Sequence, residues 1–153
     1  MAFPSSGGSK KDDLATAWHE IRTAAGHVKN VTSRLFNDAQ AGNIDAVRVV
    51  QYSETLANSN DRFARYTVVP GLVAYVREQV NDTSIDIVAE YQTMLEQISA
   101  VRNWIMTNFP KDASGYLLYH QFGADGRIVQ RTLTPAQTAG LRTQLAALIA
   151  TID

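Results

Sequence analysis

From Thr83 to Phe109, apolar residues fall at Ile87, Tyr91, Met94, Ile98, Val101 and Ile105. Spacings that alternate between four and three put one continuous stripe along a helix. Leu95 and Trp104 widen the stripe, which predicts neighbours on more than one side. Thr83 followed by Asp86 resembles a capping box, with aspartate standing where glutamate is usual. Pro110 has no amide hydrogen and forces Phe109 out of helical geometry, so the helix is expected to stop at Asn108–Phe109.

The same periodicity recurs on both sides. Asp12 or Asp13 can cap a first long helix carrying Leu14, Trp18, Ile21, Ala25, Val28 and Leu35 on one seam, which Thr32 interrupts. Ala24, Ala25 and Gly26 form a slim waist that lets another helix come close. Gly42–Asn43 supplies a turn and the next cap. A second helix is expected from about Ile44, with Val49, Tyr52, Leu56 and Phe63 on its inner face and Val47 and Val50 beside it. The poor helix formers Asn58, Ser59 and Asn60 predict a break within it. Pro70 suits the first residue of a shorter helix that Asn81 and Asp82 terminate.

After Pro110 the pattern changes. YLLYHQF and RIVQRTL are β-prone runs around GADG, and Asp125–Gly126 tolerates hairpin turn geometry. Thr134-Pro135-Ala136-Gln137 then reads as cap, first-turn proline and box partner. The last helix carries Leu141, Leu145, Leu148 and Ile152 on one face, with Gly140 as its weak point. The expected fold is therefore mainly α: a bundle of four to five helices with a β-hairpin at about 115–133 before the C-terminal helix. One domain is expected over 12–153, preceded by a flexible Pro/Gly/Ser-rich arm at 1–11, read either as a floppy terminus or as a segment that orders on a neighbouring subunit with Phe3 as its anchor.

Composition narrows the function more than it identifies it. The 153 residues include no cysteine, which removes disulfides, zinc–thiolate sites and cysteine nucleophiles. A net charge of −1 gives no global attraction to nucleic acid or anionic lipid. Neither a signal-peptide core nor an apolar run of membrane-spanning length is present, so a soluble protein is expected.

Candidate chemistry is sparse. His19 and His27 lie eight residues apart on one helix, too far to share a metal, and His120 has no sequence-near partner. Asp82, Asp86 and Glu90 make a row of carboxylates, whereas hard cations want ligands converging from several sides. Arg62 and Arg65 near Tyr66 suit a phosphate or a partner carboxylate, but surface ion pairs explain them equally. No phosphate loop or nucleophile elbow occurs. The residues nominate no catalytic group, no cofactor and no metal; His120, Asp125 and Arg127 are the sole guess if the chain were an enzyme.

Three stretches, VPGLVAYVREQ at 69–79, NWIMTNFPKDASGYLL at 103–118 and RTLTPAQTAGLRTQLAALIATID at 131–153, resemble small proteins encoded among the virion genes of tailed bacteriophages and prophages. The resemblance covers roughly the second half of the chain and carries no catalytic residues. It implies a non-enzymatic structural or assembly component of the virion, made in the bacterial host cytoplasm. Its partners would be copies of itself or other virion proteins rather than nucleic acid or membrane. The contact would use Phe3, Trp18, Tyr116, Tyr119 and Phe122. A small cytoplasmic adaptor that binds a host or phage protein through a helix groove is the alternative.

Overall fold

The computed structural model describes residues 10–152. Five helices are present: α1 (Lys10–Gln40), α2 (Ala46–Tyr66), α3 (Leu72–Val80), α4 (Ile87–Asn108) and α5 (Pro135–Ile152). Two short strands, β1 (Gln121–Phe122) and β2 (Ile128–Gln130), lie between α4 and α5. Neighbouring contacts run α1–α2, α2–α4, α4–α5 and α5–α1, so the four long helices form a closed square with α1 and α4 on one diagonal. The mainly α bundle expected from the periodicity is what the chain adopts. The described residues contain no helix long and apolar enough to cross a membrane.

The stripes meet at the centre. Ile21 and Val28 of α1, Leu56 and Phe63 of α2, Met94, Ile98 and Ile105 of α4, and Leu141, Leu145 and Leu148 of α5 are essentially inaccessible. Thr32, the break in the first seam, is fully buried and shares a 2.7 Å hydrogen bond with the Tyr52 hydroxyl. A polar pair in an apolar interior is tolerated when each satisfies the other. Trp104 of α4 lies against Gly140 of α5, where a Cβ would fall inside 3.0 Å of the indole ring. The residue expected to weaken the last helix is thus what lets it sit close to α4.

α2 runs unbroken through Asn58–Asn60, with Ser59 buried, because packing outweighs intrinsic propensity there. Its cap is Asp45 rather than Asn43: the Asp45 carboxylate accepts from Arg48 N at 3.1 Å. Residues 43–45 are drawn out first, since Ala46 N bonds Arg131 O at 2.8 Å and Asp45 bridges to Thr132. Pro70 lies before α3, not within it. Leu72 N closes on Val69 O, with Gly71 at φ 86° and ψ 2°, the third position of a type II turn that has proline at its second.

α4 likewise starts later than the apparent box. Asp82 accepts from Ser84 N and Oγ, and Arg77 Nε donates to Ile85 O, so 82–85 is a turn. Asp86 is then the cap itself, accepting from Ala89 N at 3.0 Å. The Thr134–Gln137 box forms as expected, with Gln137 N donating to Thr134 Oγ1 and Thr134 N donating to Gln137 Oε1. α1 is described from Lys10, so Asp12 and Asp13, proposed as its cap, lie within its first helical turn.

Candidate interaction surface

Residues 109–134 form an excursion from the bundle. Phe109 is buried at its root, edge-on to Trp104 with ring centroids 6.0 Å apart. The Asp112 carboxylate accepts from Ser114 N and Tyr116 N, and Gly115 at φ 87° turns the chain back. Leu118 N then bonds Pro110 O, and Lys111 bridges to Leu117. These local bonds use up the first β-prone run, so only Gln121–Phe122 pairs with the returning strand. The expected hairpin exists but is much shorter than 115–133. Gly123 and Arg127 close its turn; Gly126 is left-handed at φ 79°, whereas Asp125 is not. That places the glycine alone in the region closed to side chains, as in a type I turn followed by a bulge.

The excursion exposes apolar surface. Tyr116 is 72% exposed and Val129 61%, with Phe122, Ile128 and Tyr119 also open to solvent. Phe122 pairs with Ile128 across the two strands, which puts both on one face. Tyr119 donates to the Glu54 carboxylate of α2 at 3.2 Å, and that bond raises the tyrosine above its ordinary pKa. Bound to the bundle at Asp45, Ala46 and Glu54, the hairpin gains the support that an isolated two-stranded ribbon lacks.

The residues proposed for the contact separate into three groups. Tyr116, Tyr119 and Phe122 share the exposed excursion. Trp18 is half-buried on α1, packed edge-on against Tyr75 at 6.1 Å and covered by the Arg22 guanidinium at 4.1 Å. Phe3 lies outside the described residues.

The other candidates have structural roles. His19 and His27 are exposed on α1. Asp82 and Asp86 serve the turn and cap before α4, and no metal-binding group of three or more His, Cys, Asp or Glu occurs among the described residues. Arg62 pairs with Glu20 at 2.7 Å, joining α2 to α1. Asp125 and Arg127 sit in the hairpin turn, 3.9 Å apart and exposed. His120 lies elsewhere, beside a cavity of about 20 Å³ lined by Phe109, Thr132 and Gln137, and its Nδ1 is buried without a partner. A space of that size holds one water.

One feature escaped the periodicity. α2, α4 and the 115–119 segment border a cleft of about 340 Å³ that contains Ser53, Glu54, Arg102 and Met106. Arg102 Nε is buried there with no acceptor, an arrangement that costs about 1–3 kcal/mol when nothing replaces water. A cation directly after the buried Val101 was the one available signal, and a long arginine stem beside a stripe ordinarily reaches solvent. Compared with known proteins, the chain matches no family model, no curated sequence and no solved structure.

Proposed function

We propose that the chain is a non-enzymatic structural or assembly protein of a tailed bacteriophage particle, a capsid, neck or tail accessory subunit that works through protein–protein contacts. The observation that carries the reading is the excursion between α4 and α5. Tyr116, Phe122, Ile128 and Val129 are held out from a bundle that already has a filled interior. Exposed apolar groups clustered on one short segment favour burial against another protein surface. The resemblance of 69–79, 103–118 and 131–153 to virion-cluster proteins gives that surface its setting, with copies of the chain or other virion proteins as partners.

Function here is buried area. A specific contact needs roughly 1,200–2,000 Å² in total. The hairpin contributes its Phe122–Ile128 face and its Tyr116 corner. The bundle holds both in place through Glu54 and the Asp45–Thr132 bridge. Mass spectrometry of purified particles tests membership: the protein is expected among the virion components at a fixed copy number. Its abundance in infected cells together with its absence from particles would refute the reading. Light scattering on the purified chain separates a multimer, expected of a self-assembling subunit, from a monomer that meets its partner only on the particle.

A further inference from the structure

Exposed apolar side chains stand at both ends of α2, and the two ends differ in shape. We propose that they are the two halves of a head-to-tail contact between copies of the chain, in which the 65–70 turn of one copy seats in the groove formed by residues 112–122 of the next. The contact rests on the assembly role proposed above and names a second copy as its partner.

The projecting half is built by the end of α2. Thr67 keeps helical dihedrals, φ −68° and ψ −16°, and Val69 N closes on Tyr66 O. Arg65 and Val68, three residues apart, therefore project from one side. Val68 is 72% exposed, the highest value among the large aliphatic side chains of the described residues. Buried Phe63 and Leu72 pin the corner from either side, and Pro70 with Gly71 fixes its turn. A corner held this way loses little freedom when it docks.

The receiving half lies at the opposite end. Val47, in the first turn of α2, borders an open groove of about 750 Å³ together with Tyr116, Leu117, Leu118 and Phe122. Asp112 stands on the same groove. Its Oδ1 accepts from Ser114 N and Tyr116 N, which leaves Oδ2 to meet a cation. Arg65 is exposed, has no ion pair among the described residues, and is the cation that accompanies Val68. Arg131, the cation of the groove itself, already lies 4.0 Å from the Asp45 carboxylate. One half thus offers an aliphatic group beside a positive charge, and the other an apolar floor beside a negative one.

No molecule can fill its own groove. α2 runs unbroken for 21 residues between the two halves, a separation of about 30 Å. A contact joining two different patches is heterologous, so each copy keeps one free half after binding. Such a contact propagates, into a ring where the rotation closes and a filament where it does not.

Sedimentation velocity on the full chain and two variants tests the pairing. Val68→Asp spoils the projecting half, and Tyr116→Ser with Phe122→Ser spoils the groove; all three side chains are exposed, so the bundle should stay intact by circular dichroism. The unaltered chain should form multimers that grow with concentration, and each variant alone should be monomeric. Mixed in equal amounts, the two variants should form a one-to-one dimer and nothing larger, because together they hold one intact junction. A mixture that stays monomeric, as a self-complementary contact predicts, would overturn the proposal. So would multimers that survive Val68→Asp, since another segment would then fill the groove. An unaltered chain that is monomeric at every concentration also overturns it, while mass spectrometry of particles still decides virion membership separately. The chain has no cysteine, so single thiols give a second reading. Under mild oxidation, Val68→Cys mixed with Tyr116→Cys should cross-link faster than either variant with itself; equal rates would count against the contact.

Discussion

Adding one methyl group at Gly140 tests how closely α4 and α5 are packed. In an ordinary helix interior, replacing glycine by alanine stabilises by about 0.8–1 kcal/mol through backbone entropy. At Gly140 the new Cβ would lie inside 3.0 Å of Trp104 Cζ2, and 3.1 and 3.2 Å from Cε2 and Cη2. Trp104 cannot yield cheaply, because its indole is part-buried and packed edge-on against the buried Phe109. Relief requires the indole to leave its rotamer or α5 to move away from α4, an overpacking cost of about 1–3 kcal/mol. The net expectation for Gly140→Ala is destabilisation by up to about 2 kcal/mol, a fall of up to about 8 °C in Tm for a chain of this size.

Gly26 is the control. It is helical on α1 with nothing within 4 Å of a built Cβ, so Gly26→Ala should stabilise by about 0.5–1 kcal/mol. Urea and thermal unfolding followed by circular dichroism at 222 nm give both numbers. A cycle with Trp104→Leu isolates the clash, since Gly140→Ala should become neutral or stabilising once the indole is gone. Equal stabilisation by both alanines, or an unchanged cost in the Trp104→Leu background, would refute close packing of the indole on Gly140.

The Thr32–Tyr52 pair makes a second test: Thr32→Val strands a buried hydroxyl and should cost about 1–3 kcal/mol, while adding Tyr52→Phe should recover much of that loss. Burial raises the pKa of Tyr52, with the Thr32 bond a smaller opposing effect, so folding favours its neutral form. The associated stability is present below the unfolded pKa of about 10 and is lost as pH rises above it, and Tyr52→Phe should flatten that alkaline decline in chemical denaturation between pH 8 and 11. Gln137→Ala removes the bond from Thr134 N to Gln137 Oε1 and the 2.9 Å bond from Gln137 Nε2 to Asn108 O, while the backbone N at 137 still donates to Thr134 Oγ1; a loss of about 1 kcal/mol is expected in urea melts. Phe122→Ser combined with Ile128→Thr alters only exposed side chains, so unfolding should shift by no more than about 0.5 kcal/mol, whereas multimerisation or incorporation into particles should fall sharply.

The sequence by itself determined the long helices, the stripes that face inward and the clearest boundaries. Pro110 and the Thr134–Gln137 box act within a few residues, and stripe spacing needs only helical periodicity, so both are legible in one dimension. Only the tertiary structure decided where α2 and α4 begin, because Asp45 is drawn out by pairing with Thr132 and residues 82–85 are held by bonds from Ser84 and Arg77. It also decided that Asn58–Asn60 stays helical and that the hairpin is short, since packing and the Asp112 turn outweigh local propensity. The exposed apolar group was partly legible as Tyr116, Tyr119 and Phe122, but Ile128 and Val129 join it only because the second run lies outside the bundle. Arg102 was legible only as a cation next to the stripe, not as a buried one. Whether an arginine beside a stripe reaches solvent or loses it depends on what covers the groove, and here residues remote in sequence, the 115–119 segment and α2, do the covering.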